Sequence, residues 1–109
     1  MPNRSIDQTF AALSDPTRRH IVELLAEGRA LRVGDLAARF ESSRQAVTKH
    51  LDILCDAQLV TTQWQGRERI SRMAPDAFAA LRDWMEHYDR FWSEKLESLK
   101  QLIERGEQP

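Results

Sequence analysis

A mainly α fold is predicted, in which five helices and a two-stranded β-hairpin make one winged helix-turn-helix domain over residues 1–109. Three observations predict it. Apolar residues recur every three to four positions in five stretches, two of those stretches meet across the short break Glu41-Ser42-Ser43, and the period falls to two between Val60 and Met73.

Each element follows from local chemistry. Ile6, Phe10 and Leu13 lie about one turn apart and predict a short first helix. In the second, Asp15 is placed to accept free amide hydrogens at the helix start and Pro16 suits the first helical position. Ile21, Leu24 and Leu25 form its buried side, and Gly28 can close it in a left-handed conformation. Val33, Leu36, Ala37 and Phe40 predict a third helix of about two turns that begins near Arg32 or Val33. Ser43 caps a fourth helix with Val47, His50, Leu51 and Leu54 on its apolar face, so residues 32–57 read as the helix-turn-helix. Val60, Thr62 and Trp64 then alternate with polar residues up to the turn Gln65-Gly66-Arg67-Glu68, giving a wing over 60–73. From Pro75 to about residue 105 the helical period returns through Leu81, Trp84, Met85, Tyr88, Trp92, Leu96, Leu99 and Ile103. Such a helix is about 45 Å long, more than a domain this small can cover, so the exposed part of its stripe calls for a second chain.

Composition narrows the function. The hydrophobic share of 41% and charged share of 30% are those of a globular chain, with room for one core that a partner subunit would help to stabilise. No apolar run is long enough to cross a bilayer, and the polar start after Met1-Pro2-Asn3-Arg4 lacks the stretch a secretory signal needs, so a cytoplasmic protein with no membrane partner is expected. The single cysteine, Cys55, cannot form an internal disulfide and is expected to pack as a small hydrophobe. Net charge is only −1, but it is unevenly spread. Residues 44–72 carry five basic and three acidic side chains, whereas 76–109 carry five basic and eight acidic, which puts the electrostatic footprint for an anionic partner in the middle of the chain.

The polar face of the fourth helix supplies that footprint. Arg44, Gln45, Thr48 and Lys49 are the candidate DNA-binding residues there, with Asp52 on the same face. Arg pairs in bidentate fashion with guanine and Gln with adenine, while Thr meets a thymine methyl or a phosphate and Lys meets guanine or phosphate. A solvated helix face is polar as well, and what favours DNA is the position of this one inside a helix-turn-helix. Arg67 and Arg69 flank the hairpin tip, within reach of phosphate or a narrow minor groove, against the reading that they only blunt an edge strand. Arg18, Arg19 and Thr17 are further phosphate candidates, matched by a plain solvated-surface reading. His50 falls on the buried stripe and reads as a satisfied core histidine, or one that supports a neighbouring group, and not as a ligand. Asp83 and His87, four apart, have metal-ligand spacing, with Glu86 and Asp89 nearby, but an acidic helix face beside one histidine is ordinarily just solvated. Trp84, Tyr88, Phe91 and Trp92 read as a helix-helix interface before a small-molecule pocket.

These residues resemble the ArsR, or arsenical-resistance-repressor, family of winged-helix regulators over about residues 6–104. Leu13-Ser14-Asp15-Pro16-Thr17-Arg18-Arg19, followed by Ile21 and Leu24-Leu25, is similar to the family's second-helix signature. Ala46-Val47-Thr48-Lys49-His50-Leu51 resembles its recognition helix, and Leu54 through Leu59-Val60 to Gly66-Arg67 continues into the wing. The resemblance implies a homodimer joined through the first and last helices, here Ile6, Phe10, Leu81, Trp84, Tyr88, Trp92, Leu96 and Leu99. It also implies binding to an inverted repeat in double-stranded DNA near the protein's own promoter, with an unidentified small-molecule effector as a further partner. Metal-sensing members carry a Cys-Val-Cys type box in the third helix, whereas this chain has Arg32-Val33-Gly34-Asp35; of the family's second site only Asp83 and His87 remain, so a metal-free subgroup and no cofactor are expected.

The expected function is therefore sequence-specific DNA binding in transcription regulation, as an autoregulatory repressor. A protein-interaction module that uses the last helix and never reads DNA is the alternative. An enzyme is not expected, because the sequence offers no nucleophile-base pair, Gly-rich phosphate loop or metal cluster.

Overall fold

The computed structural model describes residues 6–106. Its helices are α1 (Ile6–Leu13), α2 (Pro16–Ala26), α3 (Val33–Arg39), α4 (Arg44–Asp56) and α5 (Ala79–Glu104), and its strands are β1 (Leu31–Arg32), β2 (Val60–Gln65) and β3 (Glu68–Met73).

Capping sets most of these boundaries. The Asp15 carboxylate accepts from the Arg18 amide at 3.0 Å, with Pro16 in the first turn, and Ser43 Oγ accepts from the Ala46 amide at 3.1 Å to start α4. Gly28 leaves α2 with φ 87°, the left-handed exit that glycine adopts without steric cost. Between α3 and α4 the chain turns through Glu41 at φ 49°, where the Ser42 amide reaches the Ala37 carbonyl at 3.0 Å. The Gly66–Arg67 turn closes the hairpin, with Gly66 at φ 63° and a register running from Val60 opposite Met73 to Gln65 opposite Glu68.

One core lies under the three central helices and the sheet. Ile21 and Leu25 of α2, Leu36 of α3, and Val47, Leu51 and Leu54 of α4 are all buried, joined by Leu59 and Val60 where α4 passes into β2. The effect is to fix α4 by its apolar side and leave the opposite side to solvent.

The structure corrects the sequence reading at four places. The wing is part of a three-stranded antiparallel sheet in the order β1-β3-β2, because Leu31 and Arg32 pair with Ser71 and Ile70. The last helix begins at Ala79, not near residue 75, because residues 75–78 form a turn with Asp76 at φ 53°. In α1 the fully buried residues are Thr9 and Ala12, while Phe10 points away from the core to meet Trp84 edge-on, centroids 5.1 Å apart. His50 lies at the rim of the core, not within it.

Beyond its contact with α1, α5 projects from this body. It buries none of its residues, and Trp84, Tyr88, Trp92, Leu96, Leu99 and Ile103 are all exposed. The protein measures 69 × 34 × 22 Å with a radius of gyration of 19.6 Å, against about 13 Å for a compact chain of this length, and the long projecting helix accounts for the excess. Among the described residues no helix is long and apolar enough to cross a membrane.

Candidate nucleic-acid interface

The outer face of α4 is built by the spacing that buries its inner face. With Val47, Leu51 and Leu54 in the core, Arg44, Gln45 and Lys49 are exposed and Thr48 is half-buried, and all four line one shallow surface depression. None of Arg44, Gln45, Lys49 or Arg67 has a hydrogen-bond or ion-pair partner among the described residues, so three cations on this side of the molecule are without a direct ion pair. Arg44 also sits in the first turn of α4, where the partial positive charge of the helix dipole disfavours a cation, and no acidic residue shares that turn.

A groove of about 440 Å³ separates α4 from the wing. Arg44 and Thr48 form one wall and Trp64 and Arg67 the other, with Gly34 and Asp35 at the base of α3 between them. Arg67 is therefore brought alongside the α4 residues, as the sequence expects of a wing arginine. Trp64, 69% exposed, is a wall of this groove that the sequence reading treated only as part of the strand alternation. Its position was legible, since an apolar side chain two residues from the hairpin turn lies beyond any core.

Arg69 behaves differently. Its guanidinium donates to the Asp52 carboxylate at 2.9 Å and lies 3.9 Å from Cys55 Sγ, and its side chain is only 15% exposed. It ties the wing to α4. Burial pushes the Cys55 thiol above its ordinary pKa, against the pull of Arg69, so the thiol stays protonated in this packing. Arg32 likewise pairs with Glu68 at 2.6 Å, fastening the start of α3 to the wing.

Arg18 and Arg19, candidates for backbone phosphate, make hydrogen bonds within the protein, Arg18 half-buried and Arg19 exposed. Arg18 Nε donates to the Ala12 carbonyl at 2.6 Å and its other nitrogens reach the Ala11 carbonyl at 3.2 Å and His50 Nδ1 at 3.4 Å. Arg19 donates to the Leu13 carbonyl at 2.6 Å. Together they satisfy the carbonyls that α1 leaves open at its end, and Arg18 links α1 to α4. Thr17 is half-buried beside them.

Metal binding finds no donor set at the start of α3. Arg32 and Gly34 carry no ligand atoms, and Asp35 shares its groove with the guanidiniums of Arg32 and Arg44, which oppose a divalent cation. Asp83 and His87 lie exposed on α5, and no group of three or more potential ligands gathers among the described residues.

Comparison with known proteins agrees with this architecture. A family model for a helix-turn-helix domain matches residues 13–63. The chain is 45% identical over 101 residues to the HTH-type transcriptional regulator Rv2034 of Mycobacterium tuberculosis, covering 93% of this chain and 91% of that protein. It is 30% identical over 98 residues to the arsenical resistance operon repressor of Escherichia coli, covering 90% and 84%. The structure of an ArsR-like transcriptional regulator from Rhodococcus sp. RHA1 superposes with a TM-score of 0.72 at 33% identity, over 88% of this chain and 90% of that one. With a tri-helical unit, an outward α4 and a basic wing all in place, the chain belongs to the ArsR family of winged helix-turn-helix, DNA-binding transcriptional regulators.

Proposed function

We propose that this protein is a repressor that binds an inverted-repeat operator, including one at its own promoter, as a homodimer. The observation that carries the reading is the row of unpaired polar side chains on α4 beside an unpaired wing arginine. Arg44 and Gln45, in the first turn, read base edges in the major groove, Thr48 and Lys49 contact a base or the adjacent backbone, and Arg67 reaches phosphate or the neighbouring minor groove. Arg69 is assigned a different part: held by Asp52, it fixes the wing relative to α4 and meets phosphate only if that ion pair opens.

The second copy of the chain covers α5. Its exposed stripe through Trp84, Tyr88, Trp92, Leu96 and Leu99 continues onto Phe10 of α1, with Leu81 and Ile6 half-buried at the near end, and a stripe this long is costly to leave in water. The acidic excess of residues 76–109 keeps this helix away from phosphate, which suits a dimer seam and not a DNA contact. An effector that binds at the seam would change the spacing of the two α4 helices and so release the DNA.

A gel-shift titration tests the reading, using a duplex enriched from a random-sequence pool by the wild-type protein. Changing Arg44, Gln45 and Lys49 together to Ala is expected to weaken specific binding by at least about 100-fold, since each lost base contact removes roughly 1–3 kcal/mol. Unchanged affinity would show that α4 does not read DNA and would leave the interaction-module reading standing.

A further inference from the structure

Gly34 is the one glycine among the described residues whose backbone does not call for glycine. Gly28, Gly66 and Gly106 all have positive φ and end helices or turn the hairpin, whereas Gly34 has no such φ and lies in the first turn of α3, where glycine has no backbone advantage over alanine. Space explains it. A Cβ on Gly34 would lie 2.8 Å from Arg44 Nη2 and 3.2 Å from Arg44 Cζ, closer than such atoms approach, while around the other three glycines a Cβ meets nothing within 4 Å.

We infer that Gly34 is a seat that holds the Arg44 guanidinium in place for DNA, which makes it a positioning residue for recognition although it touches no DNA itself. The inference rests on the reading of Arg44 as a DNA contact. Arg44 has no hydrogen-bond or ion-pair partner among the described residues, and its guanidinium occupies the space that a side chain at position 34 would fill, in the groove it shares with Asp35, Thr48 and Trp64. A side chain restrained before binding loses less rotamer freedom when DNA arrives. The seat also links two elements, because a shift of α3 relative to α4 moves the guanidinium within the groove shared with Thr48, Trp64 and Arg67.

The seat separates charge from position. Gly34→Ala keeps every charge and asks nothing new of the α3 backbone, and the group it displaces is the far end of a flexible side chain, so the fold tolerates it.

The test is a double-mutant cycle on the pool-enriched duplex, with Gly34→Ala, Arg44→Ala and the double variant titrated at several salt concentrations and each melted thermally. Gly34→Ala is expected to melt no lower than wild type and to weaken specific binding about 2- to 10-fold with an unchanged salt slope. Arg44→Ala is expected to weaken it by about tenfold or more, and adding Gly34→Ala to it should change nothing further. If Arg44→Ala weakens binding but Gly34→Ala does not, or if Gly34→Ala weakens it equally in the Arg44→Ala background, the seat is refuted while the Arg44 reading survives. If Arg44→Ala itself leaves binding unchanged, the underlying DNA reading fails first.

Discussion

Asp15 shows how much one side chain settles in this protein. It caps α2 through the Arg18 amide and lies 3.9 Å from His50 Nδ1, across from α4. The Arg18 amide, ahead of the nearby His50 and Arg18 charges, holds its carboxyl below the ordinary carboxylate range. Because the folded state favours the ionised form, this contribution is fully present at neutral pH and is lost as the pH falls from the usual carboxylate pKa through the lowered one. Urea unfolding across a pH series is expected to show that decline, and Asp15→Asn, which still caps the helix, should have a flatter acid limb; an identical limb would mean the carboxylate contributes no linkage. The cap itself was legible in the sequence, since it depends on residues one to three positions apart. The tie from Arg18 to His50 was not, because it joins residues 32 positions apart and only the packing of α2 on α4 creates it.

At the scale of elements, legibility followed length and capping. α2 and α4 start at the residues their caps indicate, and the wing spans the period-two stretch as expected. Leu31 and Arg32 are too short a run to show any period, so β1 emerges only from its pairing with β3. The apolar period of α5 also extended too far back, since Pro75 is a plausible first helical residue by rule but Asp76 takes a left-handed turn that delays the helix to Ala79. The orientation of Arg69 was likewise invisible: alternation places it on β3, but only the approach of α4 brings Asp52 to it. Removing that tie by Arg69→Ala is expected to cost about 1 kcal/mol or less, because Asp52 is solvent-exposed, yet to speed amide hydrogen exchange in β2 and β3. Wing amides that exchange at the wild-type rate would show that the sheet alone holds the wing.

For the whole molecule, an elongated chain with an uncovered aromatic helix is the form expected of half an assembly. Placing charge in the proposed seam by changing Tyr88 and Trp92 to Glu should give monomers in sedimentation, because burying those carboxylates would cost more than the seam gains. A dimer that persists would put the interface elsewhere. The proposed dimer would matter to recognition because a single α4 could reach only a few base pairs, whereas two copies related by a twofold axis would meet two half-sites at a fixed spacing. Hydroxyl-radical footprinting of the wild-type protein on the pool-enriched duplex measures that spacing directly. The predicted result is two protected patches on one face of the duplex, about 34–36 Å apart centre to centre. A single patch, or protection with no helical phase, would contradict it.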